Sequence, residues 1–124
     1  MATINHDIQE LIKQKKYIDA LAILMPKYNE RRVEESRFYY TVGDCFYEIH
    51  DVDNAIKFFK MAIELYDEDI ECFIKLAIAY EKKNDAISAI KAYMDAMELK
   101  PDDIELNERF NKLVERYTAL TPNY

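Results

Sequence analysis

The side chains best suited to proton transfer, nucleophilic attack or metal binding are His6 and His50, Cys45 and Cys72, and carboxylate pairs such as Glu34-Glu35 and Asp102-Asp103. Their spacing organises none of them. The two histidines stand 44 residues apart, outside any metal-ligand or triad pattern. His50 is expected at a helix C-terminus, where a cation complements the helix dipole. No CxxC motif accompanies the cysteines, so both are read as buried packing thiols in preference to a redox pair. The carboxylate pairs suit solvated surface and helix caps. A single glycine cannot build a phosphate-cradling loop. No enzymatic activity, metal or cofactor is expected.

Composition narrows the classes further. With 124 residues, half of them hydrophobic, the chain is long enough for one continuous core and too apolar for disorder. One glycine and three prolines leave little material for β-hairpins. The formal charge of −7 disfavours nucleic acid or an anionic membrane as the main partner, because both require a basic footprint. Basic or apolar protein segments fit better, and ten tyrosines supply apolar bodies with polar tips for a groove surface. No apolar run approaches the ~20 residues that span a bilayer. The N-terminal MATINHDIQELIKQKK spaces its apolar residues helically, unlike a signal-peptide core. Two cysteines are too few for a disulfide framework, which points to a reducing cytoplasm.

Helices must position all of these side chains, and the helices repeat. Phe73, Leu76, Ala77, Tyr80, Ala89, Tyr93 and Ala96 recur 34 positions earlier as Tyr39, Val42, Gly43, Phe46, Ala55, Phe59 and Ala62. Two copies at one period mark a stacked helical-repeat protein. Ahead of them, Ile4, Ile8, Leu11 and Ile12 form a helical stripe with Thr3 as N-cap, and Tyr17–Met25 forms a second helix. Ala20 aligns with Ala55 at an offset of 35, so this first copy is degenerate and one residue longer. Pro26 is expected to end or kink its second helix, leaving Lys27–Glu35 as the longest linker. Asp51 or Asp53 is expected to cap the fourth helix, and Asp102 with Glu105 to open the last. That last helix carries Leu106, Phe110, Leu113, Val114 and Tyr117 on one face, with Ile104 packing near its start. One domain is therefore expected over 1–118: a degenerate repeat at 1–35, repeats at 36–69 and 70–103, and a capping helix at 104–118. A loose tail follows at 119–124.

The 34-residue period and these offsets resemble the tetratricopeptide repeat, although the slot where that family usually has proline holds Asp67. The resemblance implies an all-α, right-handed solenoid of antiparallel helix pairs whose concave wall is lined by the first helix of each pair. It also implies a small residue at the position of Gly43 and Ala77, where the two helices of a hairpin approach closely. The family's wall-facing positions fall here on Arg37, Tyr40, Thr41, Asp44, Tyr47 and Glu48, then Glu71, Ile74, Lys75, Ile78, Glu81 and Lys82. Asn5, Gln9 and Lys13 from the first repeat, and Glu108, Arg109 and Lys112 from the capping helix, would extend the wall. Tyr40, Tyr47, Ile74 and Ile78 would form a hydrophobic strip for a partner segment, with Asp44 and Lys75 fixing polar contacts. The alternative is that these four pack between neighbouring first helices. The family's clamp for acidic heat-shock chaperone tails falls on Asn5, Gln9, Thr41, Glu71 and Lys75, where only Lys75 is cationic, so such tails are not expected to bind. The expected function is an adaptor that binds a protein segment in the groove. A secretion-chaperone-like holder of apolar clients and a self-associating scaffold are the alternatives.

Overall fold

The computed structural model describes residues 4–30 and 33–120, and among these are seven α-helices and no strand. The chain divides into two compact units, Met1–Asp67 and Glu68–Tyr124. The first contains α1 (His6–Lys13), α2 (Tyr17–Glu30), α3 (Ser36–Glu48) and α4 (Val52–Leu65); the second contains α5 (Ile70–Lys82), α6 (Ala86–Leu99) and α7 (Ile104–Leu120).

Each hairpin turns in the same way. Lys15, His50 and Asn84 adopt left-handed backbone with φ of 60°, 67° and 63°. Around each, the helix ends in a paired backbone motif. At the middle one, His50 N–H donates to the Tyr47 carbonyl (3.0 Å) and Asp51 N–H to the Phe46 carbonyl (2.9 Å). The same two bonds recur from Lys15 and Lys16, and from Asn84 and Asp85. These bonds occupy carbonyls that a helix end would otherwise leave open. The turns are 35 and then 34 residues apart, so the first copy is longer by one residue, as the offset of Ala20 from Ala55 indicated.

The small residues sit where helices meet. Ala20, Ala55 and Ala89 are all fully buried at equivalent places on the second helices. A Cβ on Gly43 would lie 2.8 Å from the Phe59 ring and 3.2 Å from the Ala55 carbonyl oxygen, so α3 and α4 approach as closely as a missing side chain allows. The core of the first unit is aromatic: the Phe58 ring meets Tyr28 edge-on at 5.2 Å and stacks on Phe46 at 5.6 Å. Tyr39 is buried beside them and donates its hydroxyl to the Val33 carbonyl at 2.6 Å, which ties down the segment before α3. The core of the second unit is built from small side chains, Ala77, Ala79, Ala89, Ala92 and Ala96, closed by Tyr93, Leu106 and Leu113.

Several boundaries differ from expectation. Helix α2 runs on through Pro26 to Glu30, so the first four residues of the expected linker are helical. Proline removes one intrahelical bond, here toward the Ala22 carbonyl. The extra turn carries Tyr28 onto Phe58 and Tyr39, with ring centroids 5.2 and 6.2 Å away, and that packing offsets the loss. Thr3 lies outside the described residues, and Asn5 caps α1 by accepting from Ile8 N–H at 3.0 Å. Asp51 caps α4. Asp103, not Asp102, caps α7, accepting from Leu106 N–H at 3.0 Å. Helix α7 continues to Leu120, beyond the expected 118, and the remainder of the tail lies outside the described residues. Ile104 is 75% exposed and does not pack at the start of that helix.

Candidate functional site

The wall positions are best followed one unit at a time. On α3, Arg37 is exposed, Thr41, Asp44 and Tyr47 are half-buried, and Tyr40 is only 7% exposed. The Tyr40 ring lies 6.0 Å from that of Phe59, and the Arg37 guanidinium sits over it at 4.1 Å from the ring centre. Tyr40 thus acts as a buried platform for Arg37, one helical turn away. A cleft of about 450 Å³ opens beside it, lined by Ile4, Gln9, Ile12, Glu35, Arg37 and Thr41. Three wall positions (Gln9, Arg37 and Thr41) therefore converge on one opening with two isoleucines. Asp44 and Tyr47 do not line it. A second cleft of this unit, about 520 Å³, lies at the ends of α2 and α4 between Tyr28, Tyr39, Met61 and Glu64.

In the second unit, Ile74, Lys75 and Ile78 are half-buried along one face of α5, and Lys82 is exposed in its last turn. A cleft of about 340 Å³ is lined by Glu81, Tyr93, Arg109, Lys112, Glu115 and Arg116. It gathers Glu81, Arg109 and Lys112 from the expected wall and adds Tyr93 and Arg116, which were not expected there. The signal for Arg116 was present: residues 109, 112 and 116 follow the 3,4 spacing of one helix face. Glu81 accepts from the Tyr93 hydroxyl and, at 2.5 Å, from Arg116. Burial, and then Glu81, push the Tyr93 phenol far above its ordinary range, while Arg109 acts in the opposite direction. The phenol is therefore a permanent donor at neutral pH.

The remaining reactive residues have structural surroundings. Both cysteines are buried and free. Burial raises the Cys45 thiol to about 12, helped by Asp44 and Glu48, so it stays protonated and unreactive. Cys72 Sγ donates to Asp69 Oδ2 at 3.5 Å. His50 is exposed just beyond the last turn of α3, in left-handed backbone. Among the described residues no three His, Cys, Asp or Glu side chains converge as a metal site, and no helix is long and apolar enough to cross a membrane.

The Tetratricopeptide repeat family profile matches residues 36–69 and 70–103, more than half of the chain. The chain belongs to the tetratricopeptide repeat family. No curated protein matches it in sequence. Solved structures of similar fold include the first such domain of Spaghetti (RPAP3) bound to the HSP90 peptide SRMEEVD, with 16% identity, a TM-score of 0.82 and coverage of 92% of this chain and 90% of that one. The Yersinia enterocolitica type III secretion chaperone SycD, in complex with a peptide of the translocator YopD, shares 18% identity at a TM-score of 0.77, covering 98% and 100% of the two chains. The Hsp90 co-chaperone Cns1 from Saccharomyces cerevisiae shares 17% identity at a TM-score of 0.81, covering 92% of this chain and 38% of Cns1. The repeats expected from the sequence at 36–69 and 70–103 are those the family profile matches.

Proposed function

We propose that this tetratricopeptide repeat protein is a non-enzymatic cytoplasmic adaptor that holds a segment of another protein against the first helices of its repeats. The observation that carries the proposal is the α1–α3 cleft, where Gln9, Arg37 and Thr41 present polar groups beside Ile4 and Ile12. Its volume of about 450 Å³ lies within the usual range for ligand sites, and apolar walls with a few convergent polar groups suit peptide recognition. Arg37, Tyr40, Thr41, Asp44 and Tyr47 on α3, and Ile74, Lys75, Ile78 and Lys82 on α5, are assigned to partner contact. Tyr40 contributes indirectly, by supporting Arg37.

The acidic tail held by the RPAP3 domain is not the proposed ligand. With Glu71 among the five clamp positions and a chain charge of −7, acidic tails are repelled there. The SycD complex favours a second reading, a holder that shields an apolar client segment.

The test is a pull-down comparing the natural chain with an Arg37→Glu/Thr41→Glu variant of unchanged helicity. Both positions lie at the cleft mouth, whereas a charge at Tyr40 would strike buried packing. One partner retained by the natural chain and lost by the variant supports the adaptor. Identical partners for both chains overturn it, and a preference for newly made chains over a defined motif favours the holder. Light scattering over a concentration series separates either from self-association.

A further inference from the structure

We infer that the α5–α7 cleft of the second unit is an anion subsite that takes the carboxylates of an acidic peptide. Three cations on one face of α7 (Arg109, Lys112 and Arg116) meet two carboxylates, Glu81 and Glu115, in a chain whose net charge is −7. Glu81 is already occupied by the Tyr93 hydroxyl and Arg116. Arg109 lies beside the neutral Tyr93 hydroxyl, and its carboxylate partner is the exposed Glu105, at 3.6 Å along its own helix. Such an exposed intrahelical pair contributes little and yields readily. Lys112 has no ion-pair partner among the described residues. Two cationic side chains therefore line an opening of about 340 Å³, Lys112 without an ion-pair partner among the described residues and Arg109 with a weak, exposed one. Guanidinium and ammonium side by side suit oxyanions, with Arg109 able to grip a carboxylate through two parallel N–H bonds. None of these residues is among the five positions of the family's tail clamp, and the subsite stands independently of the α1–α3 cleft.

The test is an NMR titration of the ¹⁵N-labelled full chain at low salt with the dipeptide acetyl-Glu-Glu. Acetyl-Gln-Gln serves as the neutral control and inorganic phosphate as the alternative oxyanion. Saturable amide shifts confined to α7 and the Glu81 and Tyr93 region are expected for acetyl-Glu-Glu and not for acetyl-Gln-Gln. Affinity should fall about tenfold or more in Lys112→Glu, corresponding to ~1.4 kcal/mol. Lys112 is exposed, so that variant keeps the fold; Arg109→Gln provides a second, charge-neutral check. Equal shifts with acetyl-Gln-Gln, unchanged affinity in both variants, or a response to phosphate alone would overturn the assignment. Shifts confined to α1 and α3 would do the same while leaving the adaptor reading intact.

Discussion

Replacing His50 with glycine should stabilise this protein, although it deletes a whole side chain. His50 has φ of 67° and an exposed side chain, so the change removes strain and no packing. An L-residue in left-handed backbone costs roughly 1–2 kcal/mol. Glycine escapes that cost but loses about 0.5–1 kcal/mol more conformational entropy on folding. The net gain is about 0.5–1 kcal/mol. Lys15, at φ 60° and also exposed, should gain the same amount. Asn84 supplies the internal control. It has φ of 63° at the equivalent turn, but asparagine tolerates that region, so Asn84→Gly should change stability very little. His50→Val, β-branched, should lower stability. Urea unfolding followed by far-UV circular dichroism reads these changes. At a slope of ~1–3 kcal/mol per molar, the two stabilised variants should move the midpoint up by roughly 0.2–1 M. A lower midpoint for His50→Gly, or a gain for Asn84→Gly as large as for the other two, would refute the account of the turns.

Four further outcomes are expected. Gly43→Ala drives a methyl to 2.8 Å from the buried Phe59 ring, and overpacking of ~1–3 kcal/mol should exceed the ~1 kcal/mol of helix propensity gained, giving a lower unfolding midpoint. Tyr39→Phe strips the Val33 carbonyl of its donor and should cost about 1–3 kcal/mol by the same assay. Cys45 should resist iodoacetamide at pH 8 until urea unfolds the chain. Its folded pKa is raised from 9.0 to about 12, so its contribution to stability is full below 9 and is lost as pH rises toward 12, because the unfolded thiol ionises first. Asp85 behaves oppositely. Its bonds with Ser88 hold the carboxyl below its usual 3.8, so this cap works at neutral pH and is lost on acidification through the folded pKa, which a pH series on Asp85→Asn would reveal by its flatter acid limb.

What was legible in the sequence follows from which constraints are local. Gly43 is small because a Cβ there would collide with Phe59, and Ala55, Ala62, Ala77, Ala89 and Ala96 are fully buried small residues at the same repeat spacing. Such positions recur at the repeat period whatever surrounds them, so the hairpins from 36 to 103 could be read residue by residue. Aspartate caps were equally visible, because a capping bond spans three residues of chain, and only the choice between Asp102 and Asp103 went astray. Pro26 misled because its effect was judged locally. The bond it removes is outweighed by Tyr28 packing on Phe58, a contact between residues 30 apart that no window of helical period contains. The clefts obey the same rule. Periodicity put Arg37 and Thr41 on one face of α3, but whether a cavity opens there depends on how Ile4 and Ile12 of α1 meet it. The resemblance put Tyr40 in the groove strip, with packing between first helices as the alternative, and its ring, 6.0 Å from Phe59 and covered by the Arg37 guanidinium, gains more by burial than by exposure. At the second cleft the 3,4 spacing aligned Arg109, Lys112 and Arg116, but their chemistry depends on Glu81 being held by Tyr93 and Arg116. Those partners lie 12 and 35 residues away along the chain and meet only once α5, α6 and α7 have packed.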